Sequence, residues 1–549
     1  MSDFRLLYVG LVPCLIYLWL SLQPQVPTWT WKSPELRDIL LDKGNQWCNG
    51  TTVQIQGQEG FSEVRITMTD RWNTFDAPTY SAAISPATED DVVKTVCRFT
   101  GSRGTTEFGM PSRVLTSLPK VLLAAKHQVP FLATGGRHGY TTSLGRLRNG
   151  LAIDLSALNE VGVDESAGIL TVGGGVRWSQ VLDSVFDAGF QMQTGICSCP
   201  GVVGVTLGGG IGRYSGRFGL VIDALLSVRL VTADGRLLNV SENSHPDLFW
   251  AIRGAGANFG VVTSATYKLQ RLATDTDSDQ GHVLMADMVF PAAKTAEYFK
   301  ILESFNDSMP ANLAVYSIIM YSEGDDDAQI MTNWVFMGPE SEGRAAMQQV
   351  LELQPSPSLL RTVPWSEITA SQGFGMLDAA FCQTAADRSV YGVNVRQLHA
   401  ATYQSVFEKM RTFFREYPEA RGSAIALETW PNQAALAVPD EATAYPWRDA
   451  KGNFLLVFTW PSSNPDRGEV LAEASNKLGR ELRNDFSQTS GYPDLSVFVS
   501  YAHSDETVEQ IYGRDKLPRL AALKKKWDPL NAFAYNNPLP MEYPEKNGE

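Results

Sequence analysis

The residues best placed to do chemistry lie in two glycine-rich stretches. The first, Phe131 to Gly145 (FLATGGRHGYTTSLG), runs from an apolar segment ending at Thr134 into Gly135, Gly136, Arg137, His138, Gly139 and Tyr140, then Thr141, Thr142 and Ser143. Glycines open backbone conformations closed to other residues, so successive N–H groups can point at one anion such as a phosphate, and the three hydroxyls can add donors. An ordinary tight turn after a strand is the alternative for one such loop. The second stretch, Gly195 to Asp223 (GICSCPGVVGVTLGGGIGRYSGRFGLVID), repeats the pattern with Gly201, Gly204, Gly208, Gly209, Gly210 and Gly212, and carries Cys197, Cys199 and Thr206. So much glycine is entropically costly unless a backbone approaches something closely. Taken singly, His138 reads as a loop histidine and Cys197 as a small buried apolar residue.

The elements that must position these loops alternate between strand and helix. Tyr80 to Ile84 reads as a strand and Ser85 to Asp91 as a capped helix start that continues to Phe99. Leu151 to Leu155 and Leu170 to Gly173 are short strands, and Arg177 to Ala188 is an amphipathic helix stopped by Gly189. Leu225 to Thr232 and Arg236 to Val240 form a hairpin, followed by a helix and turn over Asp247 to Gly260 and a strand over Val261 to Leu269. Past the polar linker Arg271 to Gln280 come strands at Val283 to Phe290, Ala314 to Tyr321, Gln329 to Phe336, Ser423 to Trp430 and Phe454 to Trp460, with helices at Ala293 to Ser304 and Glu342 to Leu353. Such a mixture predicts an α+β chain whose second sheet is covered by helices on one side. Gly324 to Asp327 reads as a hairpin turn rather than a calcium loop.

Composition bounds the function. The 549 residues are 44% apolar with a formal charge of −14, which allows a large core and leaves no basic stripe for a nucleic-acid partner. The only tight basic run, Lys524 to Lys526, fits a solvated helix end. Arg5 followed by the apolar run Leu6 to Leu22 fits a secretory signal or an uncleaved membrane anchor, and sequons at Asn49, Asn239 and Asn306 are compatible with secretion. Six cysteines are too few for a disulfide framework, and no spacing suits zinc, so no metal site is expected.

Together the two glycine stretches resemble the berberine-bridge-enzyme-like branch of the vanillyl-alcohol-oxidase flavoproteins, with a two-part PCMH-type FAD-binding domain. DLFWAIRGAGANFG at Asp247 to Gly260 and the closing segment Ile511 to Pro540 carry the same resemblance. It implies FAD, with the pyrophosphate on the first loop, His138 matching the histidine bonded to the flavin 8α carbon, and Cys197 matching the cysteine that forms a second link at carbon 6. Arg137 stands where many members have a third glycine. Thr134, Gly135, Gly136, Arg137, Gly139, Tyr140, Ser143, Gly201, Gly204, Thr206, Gly209, Gly210, Gly212, Val262 and Asn537 complete the implied cofactor set, Val261 and Val262 at the adenine and ribose. The family also implies a disulfide between the regions of Cys48 and Cys97, leaving Cys14 and Cys382 without a partner. The implied organisation is a signal peptide or membrane anchor at 1–25, the FAD-binding domain at 35–270, a substrate domain at 271–505, and a segment at 506–549 that returns to the FAD domain.

For activity, the resemblance implies hydride transfer from a small organic molecule to covalently held FAD, with oxygen as the second substrate and peroxide as product. Pro200 replaces the usual valine or leucine at the position facing oxygen. Tyr501 and Glu428 are the candidate acid–base residues. Tyr501 lies on an expected strand with Val497 and Val499, and the alternative is a packed tyrosine; for Glu428 the sequence favours a strand residue facing solvent over a buried base. Tyr445-Pro446-Trp447-Arg448 matches a family turn, with Trp447 where others often carry histidine. The other functions kept open are a carbohydrate oxidase using Trp334, Trp365, Trp430 and Trp447 as platforms, an oxidative cyclase of fungal secondary metabolism, and a non-catalytic FAD-binding protein.

Overall fold

The computed structural model describes residues 33–41, 46–56, 67–100, 129–272, 280–383, 386–461 and 465–544. The apolar run Leu6 to Leu22 and most of the linker before Gln280 lie outside them, and among the described residues no helix is long and apolar enough to cross a membrane.

Strands β1 (Thr52–Ile55), β2 (Tyr80–Ser85), β3 (Phe131–Thr134) and β4 (Gly150–Asp154) form a first sheet in the order β1-β2-β4-β3. β4 runs parallel to both β2 and β3, so Thr134 and Asp154 end side by side. The crevice beyond the carboxyl ends of parallel strands is where such sheets bind ligands, and β3 delivers the first glycine stretch there.

The second sheet is antiparallel. It is built from β5 (Val161–Asp164), β6 (Ile169–Gly173), β8 (Leu225–Val231), β9 (Leu237–Ser241) and β10 (Val261–Lys268) in the order β5-β6-β10-β8-β9, while β7 (Phe190–Gln191) pairs with β11 (Gln270–Arg271). The helix expected from Arg177 to Ala188 is split into a 3₁₀ turn, Trp178–Gln180, and a helix, Leu182–Asp187. Gln180 and Val181 bond back three residues, to Arg177 O and Trp178 O, before the helix resumes, and the orphan N–H groups of Trp178 and Ser179 are taken by the carbonyls of Pro200 and Ser198, in the second glycine stretch.

The third sheet holds β12 (His282–Pro291), β13 (Leu313–Ser322), β14 (Asp327–Phe336), β15 (Ser358–Pro364), β16 (Asp387–Val395), β17 (Ala424–Thr429) and β18 (Gly452–Trp460), all antiparallel, in the order β15-β12-β14-β13-β17-β18-β16. Side chains alternate across it with the strand period. Leu284, Ala286, Met288, Val315, Ile319 and Leu427 pack with the helices Thr295–Ser304, Ala400–Glu416 and Pro465–Thr489. Their neighbours Val283, Met285, Ala314, Tyr316, Ile318 and Ala426 join the core of the second sheet. Helices therefore cover one face, as expected, and the other face closes over the glycine stretches.

Several expectations are corrected. Val499–Tyr501 is a 3₁₀ turn, not a strand, because Tyr501 N–H bonds back to Phe498 O. The helix Glu342 to Leu353 is two helices, Glu340–Ala346 and Gln348–Glu352. Trp334, Trp365 and Trp430 are fully buried, so none of the three is an open sugar platform, while the half-buried Trp447 donates to Ile511 O. Cys48 and Cys97 are not joined to each other: Cys48 is held through its N–H by Asp91 at 3.2 Å, whereas Cys97 lies against the hairpin turn at Gly235. The disulfide joins Cys199 to Cys382 instead. The helix Leu377–Phe381 brings Cys382 there, with Asp378 accepting the N–H and hydroxyl of Ser198 at 2.8 and 2.6 Å. At Asn306 the side-chain amide is occupied by both the N–H and the carbonyl of Leu398, which leaves that sequon committed to the fold.

Candidate active site

The two glycine stretches meet backbone to backbone. A Cβ on Gly136 would come within 2.2 Å of Gly201 N, and one on Gly135 within 2.6 Å of Gly174 O. Arg137 follows in the left-handed region at φ 56, a conformation a glycine would take freely. Its side chain contributes contacts no glycine has, an ion pair with Asp154 at 3.1 Å and a hydrogen bond to Met68 O at 3.1 Å. His138 stacks on Trp72 with ring centroids 4.6 Å apart, and its Nε2 is buried without a hydrogen-bond partner. Burial, together with the charges of Arg388, Arg177 and Arg71, pushes the imidazole down to about 4, so it is neutral at physiological pH.

A ring nitrogen of His138 and the sulfurs of Cys197 and Cys199 lie within 4.8 Å of one another. Cys199 is spent in its disulfide, which leaves His138 and Cys197 as the adjacent pair. Burial, then the charges of Asp378 and Glu428, push the Cys197 thiol up to about 12, so at neutral pH it keeps its proton. Tyr140 stands in the same electrostatic neighbourhood, its hydroxyl buried and without a partner.

The hydroxyls after Tyr140 are not free for an anion. Thr141 donates to Asn537 Oδ1 at 2.8 Å, Thr142 to His503 O at 2.8 Å and Ser143 to Tyr535 O at 3.0 Å. Thr141 and Ser143 fasten the stretch around Tyr535 and Asn537, which follows the helices Val508–Tyr512 and Leu517–Trp527, has no helix or strand of its own and satisfies backbone groups through side chains. Asn537 likewise spends its amide on Thr141 and on Val499 O, the latter at 2.9 Å. Thr206 donates to Val202 O at 2.8 Å and lies 2.9 Å from the Tyr267 hydroxyl. Gly209 (φ 134) faces the Tyr445 ring, Gly210 faces Val221, and Gly212 abuts Thr194 O, so protein fills the space that their missing side chains leave. Gly204 has nothing within 4 Å of its Cβ position and Gly139 is exposed. Val262 is buried in β10 with its carbonyl against Gly174. Arg448 of the Tyr445–Arg448 turn pairs with buried Asp223 at 2.8 Å, clasping the end of the second glycine stretch.

The third sheet supplies the opposite wall. Asp287 pairs in register with Asn333, Asn333 with Tyr316, and Tyr316 with Glu428, so four polar residues form one row across β12, β14, β13 and β17. All four lie on the face turned away from the helices, by their alternation with the residues of the helix-side core. Glu428 is thus buried (1% exposed), against the solvent-facing expectation. Tyr501 donates to its two oxygens at 2.9 and 3.0 Å from a turn whose approach Gly392 permits: a Cβ there would meet Tyr501 at 2.7 Å. Burial raises the Glu428 carboxyl to about 8, opposed by the Tyr501 hydrogen bond and the charge of Arg213. Burial and the neighbouring Glu428 hold the Tyr501 phenol well above its usual value, which makes it a hydrogen-bond donor and a poor base.

Arg213, from the second glycine stretch, was not singled out by sequence. It is 4% exposed, its Nη2 donates to Asn333 Oδ1 and Gln372 Oε1, both at 2.8 Å, and it lies over the rings of Tyr316 and Trp430 at 5.7 and 5.6 Å. Gln372 donates on to Ile196 O at 2.7 Å, and Asp287 accepts the N–H groups of Gly373 and Phe374 at 2.8 and 3.0 Å. A partial signal for the row was available: Asp287 and Glu428 are acidic residues within mostly apolar strands.

This architecture and site are those of a flavin-dependent oxidoreductase. Residues 120–241 match the FAD binding domain family, and residues 497–540 match the berberine and berberine-like family. The chain is 45% identical over 512 residues to the FAD-linked oxidoreductase fogF of Aspergillus ruber, covering 93% of this chain and 96% of that one, and 40% identical over 526 residues to the FAD-linked oxidoreductase srdI of Neurospora crassa, covering 96% and 97%. It belongs to the berberine-bridge-enzyme-like FAD-linked oxidoreductases and is an FAD-dependent enzyme. Among solved structures, Physcomitrella patens BBE-like 1 superposes with a TM-score of 0.71 at 21% identity, covering 90% of this chain and 98% of that one. Glucooligosaccharide oxidase from Acremonium strictum, whose flavin is a 6-S-cysteinyl, 8α-N1-histidyl FAD, superposes with a TM-score of 0.70 at 20% identity, over 90% and 98%.

Proposed function

We propose that this enzyme is an oxidase of a small organic molecule, removing hydride from a carbon next to a hydroxyl, an amine or an activated ring, with oxygen as the terminal acceptor and peroxide as product. Bound FAD supplies the two-electron acceptor. The observation that carries the reading is the convergence of a raised, buried carboxyl, Glu428, with the His138 and Cys197 pair, whose electrostatic coupling shows in the shift of the thiol.

The residues present fit a flavin: an orphaned buried Nε2 on His138, an orphaned hydroxyl on Tyr140 and open space beside Gly204 suit a planar group laid along the loops. On this reading His138, neutral and with a free lone pair, would hold the cofactor covalently, and Cys197 beside it would supply the sulfur of a second link, each link being formed with two-electron oxidation that oxygen completes. Residues 35–270 with 506–549 then form the FAD-binding part and 271–505 the substrate part. Glu428 takes the proton from the substrate heteroatom as hydride leaves the adjacent carbon, while Tyr501 orients the carboxylate by donating to it. The buried walls exclude water. A secretory route, suggested by Leu6 to Leu22, belongs to the same reading.

The test is the visible spectrum of purified protein before and after acid precipitation, together with peroxide release across a panel of primary alcohols and amines. Yellow colour that stays with the precipitate supports covalent FAD. Flavin reduction by a substrate without peroxide on re-aeration would make the enzyme a dehydrogenase.

A further inference from the structure

Arg213 carries a buried positive charge that the protein does not neutralise. Its hydrogen bonds go to two neutral amides through Nη2 alone, its Nε is buried without an acceptor, and among the described residues no carboxylate stands within ion-pair distance. The two nearest acids are otherwise occupied. Asp287 receives Asn333 at 2.7 Å, Arg361 at 3.3 Å and two backbone N–H groups. Glu428 takes its hydrogen bond from Tyr501 and, being raised to about 8, is mostly uncharged at neutral pH. Taking a cation out of water costs several kcal/mol, of order, unless an opposite charge or full hydrogen bonding compensates it. The guanidinium therefore lacks an acceptor of opposite charge, and the rings of Tyr316 and Trp430 hold it in place from one side.

We infer that Arg213 is the specificity-determining residue of this site, and that the substrate carries an anionic oxygen, a carboxylate or phenolate, which the free N–H groups of Arg213 bind while the carbon to be oxidised lies beside Glu428. This rests on the oxidoreductase reading of the same site. The Asn333 and Gln372 contacts fix the guanidinium plane, so the anion's position, and with it the orientation of the substrate across the polar row, is set before binding.

Benzoate and benzamide are the probes, alike in shape and different in charge. Titration calorimetry of the flavin-loaded protein at neutral pH is expected to show benzoate bound at least about tenfold more tightly than benzamide, the scale of one charge-assisted hydrogen bond. Arg213→Met and Arg213→Gln remove that preference, with thermal melting and flavin absorbance confirming a folded, loaded protein. Equal binding of the two probes to the wild type, no binding of either, or a preference that survives in a folded variant overturns the inference. The wild-type ratio decides alone if both variants misfold. A flavin potential that falls in Arg213→Gln with the benzoate preference intact assigns the charge to the cofactor and also overturns it. Because heat rather than turnover is measured, failure of every alcohol and amine to reduce the flavin would remove the oxidase reading and leave this result standing.

Discussion

On the loop wall of the site, His138 and Cys197 come from two short glycine stretches whose backbones touch at Gly136 and Gly201. On the sheet wall, Asp287, Asn333, Tyr316 and Glu428 come from four strands whose spatial order, β12-β14-β13-β17, differs from their order in the chain. The loop wall is held by backbone proximity and carries groups that are neutral by burial, an imidazole and a thiol. The sheet wall is held by register and carries the charged and hydrogen-bonding groups, Arg213 resting on it and Tyr501 reaching it from the C-terminal segment. On the proposed reading the cofactor site and the proton-transfer site rest on different structural rules, and perturbing one should leave the other standing.

The sharpest break falls on the sheet wall. Glu428→Gln is expected to lower substrate-driven flavin reduction by about 10²–10⁴-fold, the usual yield of a positioned base, with FAD content unchanged. Its pH profile gives the sign: the carboxyl must be ionised to accept a proton, so the wild-type rate climbs with pH up to a plateau above about 8, and the climb disappears in the variant. Stability runs the other way. A raised folded pKa means that the unfolded chain loses this proton first, so the Glu428 contribution favours folding at low pH and is lost as pH rises from 4.5 through about 8. Denaturant unfolding across that window should show the decline in wild type and a flatter curve in Glu428→Gln.

On the loop wall, His138→Ala should convert flavin that stays with acid-precipitated protein into flavin released to the supernatant, while Glu428→Gln releases none. Flavin freed by the glutamate change would collapse the separation of the two walls.

The disulfide crosses between them, since Cys199 lies on the second glycine stretch and Cys382 follows the helix Leu377–Phe381. Cys382→Ser is expected to cost about 2–4 kcal/mol of unfolding free energy. Peptide mapping without reductant should find Cys199 joined to Cys382 and no peptide joining Cys48 to Cys97. A Cys48–Cys97 peptide would contradict the structure.

The smallest effect concerns the seam. Asn537→Ala removes hydrogen bonds to Thr141 and Val499 and should cost about 1–3 kcal/mol, leaving the visible spectrum of the flavin unchanged. A bleached or shifted spectrum would restore Asn537 to the cofactor set.

By itself, the sequence determined the cofactor loops and the class of fold. Glycine patterns, the alternation of apolar residues and the helix stops act over a few residues, and their physical cause is local: allowed backbone conformation and the side-chain period of strand or helix. The α+β order and the helix-covered sheet were legible for that reason, whereas His138 and Cys197 stood out through the resemblance to the family. Tertiary structure alone decided what the same residues touch. Thr141, Thr142 and Ser143 look like anion donors until the C-terminal segment returns and takes their hydroxyls. Glu428 looks solvated until β13 and β17 pair and the closing turn seals it with Tyr501. Cys382 finds Cys199 across a separation of 183 residues, which no local rule encodes. Arg213 is an ordinary polar residue after a glycine run, and only the register of β12, β14, β13 and β17 places uncharged amides and aromatic faces beneath it. Burial and charge pairing are properties of neighbours in space, and strand pairing sets those neighbours across distances the chain does not show.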